Sequence, residues 1–199
     1  MAEDAWMETC LVSIAAQAGT DIPFQALTET VDIDLGEKDI EGVPLVNGGR
    51  VTKWTPEGDT SITLEAYPLE AGNDDISAAT AGTGFFDLLH VEDTSQPAVI
   101  TNSRTRNKYR IAIMWTDDTA VTNAASAVAT TASTAMRVTA ANGYITSVKP
   151  SFTDGILKFT IVFKVAAFTK AAAGQILMES CDATASLTAL QSYTTTVKW

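Results

Sequence analysis

Asp32 and Asp34 stand two residues apart with Glu37 just beyond, a spacing that sets both carboxylates on one face of a strand. Such a pair is equipped to hold a hard cation or to share a proton. No calcium-loop spacing surrounds it, so the acids are expected to form a solvated or lumen-lining face. Arg104, Arg106, Lys108 and Arg110 fall at every second position and hold 4 of the 13 basic residues. A strand would place all four on one face, yet no aromatics interleave there for nucleic-acid stacking. The economical expectation is a basic strip that meets an acidic strip on a neighbouring subunit, setting register and partner choice. Solvated edge charges that block unwanted pairing are the simpler alternative. Asp117-Asp118 suits a helix cap and Asp74-Asp75 a turn. Gly82-Thr83-Gly84 lacks the lysine and spacing of a phosphate loop.

The single histidine, His90, rules out most enzyme templates, since no triad, HExxH helix or His-rich zinc site can be assembled around it. Cys10 and Cys181 are too few for a disulfide framework or a four-thiolate metal site. Free buried thiols are expected, with one disulfide joining the chain ends as the alternative. No catalysis, cofactor or metal is expected.

Over 199 residues the chain carries 24 acidic against 13 basic side chains, a net charge of −11. That balance argues against a broad basic surface gripping nucleic acid, though not against a wall that DNA passes without sticking. Apolar residues make up 46%, enough for a sizeable core in one domain spanning 1–199. The opening MAEDAWMETC is acidic where a secretory leader needs positive charge, and no apolar run reaches membrane-spanning length. Synthesis in a cytoplasm without membrane insertion is the expectation. Alanine (30) and threonine (29) are abundant, a mixture suited to tight packing in a β protein rather than to catalysis.

The elements that must position these residues are mostly strands. Leu27–Leu35 alternates Leu27, Val31, Ile33 and Leu35 against Asp32 and Asp34. Ser61–Tyr67 turns Ile62, Leu64 and Ala66 inward and Thr63, Glu65 and Tyr67 outward. Tyr109–Trp115 sets Tyr109, Ile111, Ile113 and Trp115 on one side. Tyr144–Val148 and Ile156–Val165 form the clearest pair, joined through Thr153-Asp154-Gly155. Lys158 and Lys164 fall on the outer face of that pair, and Ser192–Trp199 reads as a last strand. Val121, Ala125, Val128, Ala132 and Met136 recur at helical spacing, so a flanking α-helix is expected, stopped by Asn142-Gly143. A weaker helix is expected at Phe85–His90. Residues 37–59 read as an extended arm or loose hairpin turning at Asn47–Gly49, and 71–84 as a flexible loop. The fold class is mainly β, a sandwich or barrel of two packed sheets with one flanking helix.

In order and wording these segments resemble the major tail tube proteins of head-tailed viruses, particularly archaeal-virus and prophage forms. The likeness rests on Ile62–Pro68, on Asn102–Trp115 running into Thr116-Asp117-Asp118, and on the Ala-rich stretch ending near Met136-Arg137. Asn142–Val148, Phe152–Gly155 and Phe163–Val165 complete it, covering about two thirds of the chain. The resemblance implies six copies in a ring whose inner sheets join, with rings stacked into a hollow virion tail tube that conducts DNA without binding it. Assembly in the host cytoplasm, with tape-measure, terminator and baseplate or initiator proteins as partners, is implied as well. On that reading Asp32, Asp34 and Glu65 are lumen candidates. The inter-ring arm is assigned to Val43, Leu45, Asn47, Gly48, Gly49 and Arg50, with a contribution from 71–84. A capsid decoration protein, tail terminator or adhesin is the alternative class, sharing Thr-rich strands but not open-ended stacking.

Overall fold

The structure is a computed structural model describing residues 9–19, 21–37, 40–54, 58–68, 108–129, 134–153, 155–166, 174–181 and 184–199. The calls on 71–84, Phe85–His90, Arg104 and Arg106 lie outside these residues. Ten strands form within them: β1 (Thr9–Ala16), β2 (Asp21–Leu27), β3 (Asp32–Asp34), β4 (Ile40–Pro44) and β5 (Arg50–Trp54), then β6 (Thr60–Pro68), β7 (Tyr109–Thr116), β8 (Ala135–Thr153), β9 (Ile156–Val165) and β10 (Ile176–Cys181). All pairings are antiparallel. β1 pairs with β2 and β7, and β7 pairs with β8. β8 continues onto β9, β9 onto β6, and β6 back onto β2. The chain of pairings closes, giving a flattened six-strand barrel of two packed sheets. β10 extends one wall beyond β8, and β3 extends the other beyond β6.

The alternation in the sequence is what fills the barrel. Val12 and Ile14 of β1, Ile62 and Leu64 of β6, and Ile161 and Phe163 of β9 are all buried in its interior. Tyr109, Ile111, Ile113 and Trp115 join them from β7, the side their spacing indicated.

The 19 residues of β8 serve both walls because the strand bends in the middle. Its first half pairs with β7 and β10 and its second half with β9. At the bend Asn142 adopts a left-handed φ of 60°, and the register to β7 slips between Tyr109 and Ile111. A bulge of this kind turns a strand around a barrel corner. Its polar groups are satisfied: the Ala141 amide donates to the Gln175 carbonyl at 2.8 Å and the Asn142 amide to the Tyr193 hydroxyl at 3.1 Å. Gly143 fits beneath Phe163 only because it has no side chain, since a Cβ there would sit 2.3 Å from the Phe163 ring. Asn142-Gly143 is thus a strand corner and not the end of a helix.

The expected flanking helix is absent from the described part of Val121–Met136. Residues 121–129 run as turns and irregular backbone, and Met136 already lies in β8. The reason is local hydrogen bonding. Asp118 accepts from the Ala120 amide at 2.9 Å, and Asn123 accepts from the Ala125 amide at 2.8 Å. Such side-chain turns compete with helical bonding in a stretch where Thr, Asn, Ser and Val are weak helix formers. Asp117 instead bonds the Thr134 amide at 2.7 Å, closing the loop onto β8.

Two further expectations are corrected, and the expectation of free buried thiols holds. Leu27–Leu35 is two strands separated by a 3-10 turn at Thr28–Thr30, and Leu35 is exposed rather than inward. Ser192–Trp199 forms no strand and lies as an irregular tail. Cys10 and Cys181 do not pair: Cys10 sits inside the barrel and Cys181 outside it, both as buried free thiols. Burial pushes the Cys10 thiol up to about 12, leaving it protonated and inert at neutral pH.

Candidate assembly surfaces

The two outer walls of the barrel receive opposite treatment. Along β7 and the first half of β8 the outward residues are themselves buried, with Cys181 of β10, under segment 121–129 and the tail 184–199. Ala112, Met114, Ala135 and Cys181 pack there against Ala124, Val128 and Leu187. Small alanine side chains allow this irregular backbone to lie close on the sheet. Further along, Ala15 and Ala141 lie beneath Tyr193, with Trp199 against the same cluster.

Two arginines on β7 and β8, both with no exposed side-chain surface, hold the cover in place. Arg110 grips both carboxylate oxygens of Asp21 through Nη2 at 2.8 and 3.0 Å. Its Nη1 donates to the carbonyls of Gln191 at 2.7 Å and Lys198 at 3.1 Å, and its guanidinium lies 5.6 Å from the Tyr193 ring centre. Arg137 bonds Glu179 Oε2 through Nε at 3.0 Å and Nη2 at 2.8 Å. It also donates to the carbonyls of Ser126 at 3.0 Å and Thr188 at 2.7 Å. Planar guanidinium groups suit such multidentate gripping. Irregular backbone carries unpaired carbonyls, and these arginines satisfy them where water cannot reach. Burial of Tyr193 pushes its hydroxyl above the ordinary tyrosine range, the Asn142 amide and Arg110 partly opposing that shift.

Arg110 therefore belongs to the chain's own interior and is not part of an exposed strip, whereas Lys108 beside it is exposed. Nothing in the alternation Arg104, Arg106, Lys108, Arg110 separates the buried member from the rest. The usable signal was Asp21, at the start of the strand two places from β7, together with a carbonyl-rich irregular tail.

The opposite wall, β3–β6–β9 and the second half of β8, has polar outward positions in register. One row runs Tyr144, Lys164, Ser61, Asp34, and the next runs Ser147, Val162, Thr63, Asp32. A third runs Lys149, Thr160, Glu65. Asp32 and Asp34 are exposed, as their alternation implied, and share this face with Glu65. Glu65 is ion-paired to Lys158 at 2.9 Å. The face holds three carboxylates on β3 and β6 and three lysines, Lys149, Lys158 and Lys164, on β8 and β9, so acid and base balance in number but sit on neighbouring strands. Among the described residues no three side chains of metal-ligating type converge.

Both ends of the sheet path are unpaired edges among the described residues: β3 bonds only β6, and β10 bonds only β8. Between β3 and β6 the chain leaves as the separate β4–β5 hairpin. Its base is closed by Gly58 N–H donating to the Glu37 carbonyl at 3.2 Å and by Thr60 Oγ1 donating to the Leu35 carbonyl at 3.2 Å. Gly36 permits this closure, with a left-handed φ of 78° and Gly58 O where a Cβ would stand 2.6 Å away. The tip turns through Leu45–Gly49, with the Leu45 amide on the Gly49 carbonyl at 2.7 Å and the Gly49 amide on Asn47 Oδ1 at 3.1 Å. Val43, Leu45, Asn47, Gly48, Gly49 and Arg50 are all exposed on this hairpin. Val43 faces Val51 on one side and Pro44 faces Arg50 on the other, and both sides are open to solvent.

No family model and no curated protein matches the chain. Solved structures resemble it at the level of overall shape. A chain of the sheath–tube complex of the extracellular contractile injection system PVC, in its extended state, is 19% identical, with 90% of this chain and 94% of that one covered at a TM-score of 0.46. The sheath/tube terminator of the same system is 18% identical over 85% and 92%, at 0.43. The tube-terminating cap of the anti-feeding prophage is 11% identical over 91% and 94%, at 0.42.

Proposed function

We propose that this chain is a structural protein of a tail-tube-type assembly, building rings that stack head to tail into a hollow tube. The observation that carries this reading is the β4–β5 hairpin. A lone two-stranded hairpin is marginal in water. This one exposes Val43, Leu45, Val46 and Val51, and among the described residues no core cluster lies beneath it. Apolar surface of that kind marks a contact with another molecule. The free edges of β3 and β10 supply the lateral contact, since adding strand to strand from copy to copy closes a ring and removes both edges. A hairpin reaching one way out of a ring gives a heterologous, open-ended contact, which propagates as a filament.

In the finer form of the proposal the ring is six-fold, the β3–β6–β9 face lines the bore, and viral DNA is delivered through it. Asp32, Asp34 and Glu65 on β3 and β6 stand there beside an equal number of lysines, Lys149, Lys158 and Lys164, on β8 and β9. Without a cluster of unopposed lysines, such a face offers phosphate little net attraction and DNA slides past. Tape-measure, terminator and baseplate proteins are the partners at the tube's ends, and the chain performs no catalysis.

Electron microscopy of the purified protein over a concentration series tests this. Six-fold rings and hollow tubes are expected, with Asp32 and Asp34 on the inner wall of a resolved ring. Deleting Val43–Arg50 is expected to leave rings or monomers folded but unable to stack. Tubes of normal length from the deletion variant would refute the arm, and rings that never stack in the wild type would favour a terminator or decoration protein.

A further inference from the structure

The same wall that roots the arm carries a second apolar projection at its far end. β9 pairs with β6 from Val165↔Thr60 to Phe159↔Ala66, and there the pairing with β6 stops. Ile156–Lys158 continue beyond it, in strand pairing with Ser151–Thr153 of β8. In that register Phe152 lies on the same side of the strand as Val148, which packs against the core, and Pro150, which is already exposed, so Phe152 has passed the end of the barrel. Phe152 is consequently 74% exposed, the most exposed aromatic side chain among the described residues. The β4–β5 arm leaves between Asp34, which pairs with Ser61, and Thr60, which pairs with Val165, at the other end of β9. From position 157 to 165 the strand covers roughly 26 Å at ~3.3 Å per residue.

One wall thus has an apolar arm at one end and an apolar tip at the other. Head-to-tail stacking brings unlike ends of successive copies together, so each arm faces a β8–β9 tip. We infer that the receiving site for the β4–β5 arm is the β8–β9 tip of the next ring, with Phe152 packed against Val43, Leu45, Val46 and Val51 of the arm. The occupant is a second copy of this chain, and the inference rests on the head-to-tail reading. Every copy carries a net charge of −11, so stacked rings repel, and an apolar contact is the type that can overcome that cost.

The test uses Val46→Cys and Phe152→Cys, made separately in the full chain and mixed under mild oxidation during assembly. Cys10 and Cys181 are buried and leave the background low. A covalent dimer is expected from the mixture and not from either variant alone. Phe152→Asp is expected to raise the protein concentration needed for tubes at least tenfold while leaving ring formation and the thermal transition unchanged. Phe152→Ser is the milder companion, expected to give the same direction. Tubes that form normally from both variants, with no mixed dimer, would overturn the inference and leave the head-to-tail reading standing. A dimer formed by Val46→Cys alone would place arm against arm and overturn it too. Wild-type protein that never stacks would sink the head-to-tail reading, and this inference with it.

Discussion

The two walls of the barrel share one hydrogen-bonding scheme and differ in what lies outside them. Beyond β7 and β8 the outward residues Arg110, Ala112, Met114 and Arg137 are covered by 121–129 and 184–199. Beyond β6 and β9 the outward residues Ser61, Thr63, Glu65 and Lys158 are half-buried and Lys164 is exposed, with no described segment packed over them. The covered wall is built for stability, and the proposed assembly would use the bare wall for contacts the monomer does not make. The two buried arginines mark the difference, because each satisfies backbone that would otherwise lie unbonded under the cover. The bare wall needs no such device, as water or another copy can satisfy it.

The comparison breaks most readily at the covered wall. Arg137→Ala removes the partner of Glu179 and the donors to Ser126 and Thr188 together. Glu179 keeps about a quarter of its side chain exposed, so the cost is that of leaving the Ser126 and Thr188 carbonyls without their charged donor, about 1–3 kcal/mol, and a marked drop in the urea midpoint is expected. Hydrogen exchange should speed up first at residues 124–126 and 188, before the barrel strands. A loss of under about 0.5 kcal/mol, the ordinary size of a surface change, would show that the cover is held by apolar packing alone.

Alkaline titration gives the next largest effect, and it too falls on buried positions. Cys10 and Tyr193 are both held above their ordinary values by burial. Each group is protonated in the folded state at a pH where the unfolded chain would release the proton. Their contribution is complete below the unfolded values and is lost as pH rises through the folded ones. Stability should therefore be flat to about pH 9, the ordinary value of the thiol, and fall from there toward 12. Cys10→Ala should flatten the first part of that fall. An unchanged slope in that variant would remove Cys10 from the account.

Much of the barrel was legible because alternation is a local signal. Ile62, Leu64 and Ala66, or Phe159, Ile161 and Phe163, announce an inward face without knowledge of what they meet. The long hairpin arm was legible too, from Asn47-Gly48-Gly49 between two short apolar runs. The cover was not. Val121, Ala125 and Val128 are buried or half-buried as a helical stripe would make them, but their burial comes from lying on β7 and β10 in irregular form. Spacing alone cannot separate the two, and the deciding bonds from Asp118 and Asn123 are visible only in three dimensions. Arg110 shows the same limit. Its sequence neighbours suggested an exposed strip, and its burial depends on Asp21, Gln191 and Lys198, which lie 89, 81 and 88 residues away.

The smallest expected effect sharpens the comparison from the other side. Glu65 and Lys158 are ion-paired on the bare wall, each about a quarter exposed. Solvent screening and the entropy of two long side chains hold such a pair to about 0–1 kcal/mol. Lys158→Ala should therefore barely move the thermal transition of the monomer. If the β3–β6–β9 face lines a bore, the same substitution makes that face more acidic in every copy of the ring, and repulsion across the bore adds over the ring. Its effect should then appear in assembly, as a need for higher salt to form tubes, because screening relieves repulsion between like charges. Lys164→Ala, on an exposed lysine of the same face, should act in the same direction, and Asp34→Asn in the opposite one. A Lys158→Ala variant that lowers monomer stability as much as Arg137→Ala would mean that the bare wall also carries the fold. One that leaves both stability and the salt requirement untouched would place this face away from any concentration of charge, on the outside of the tube.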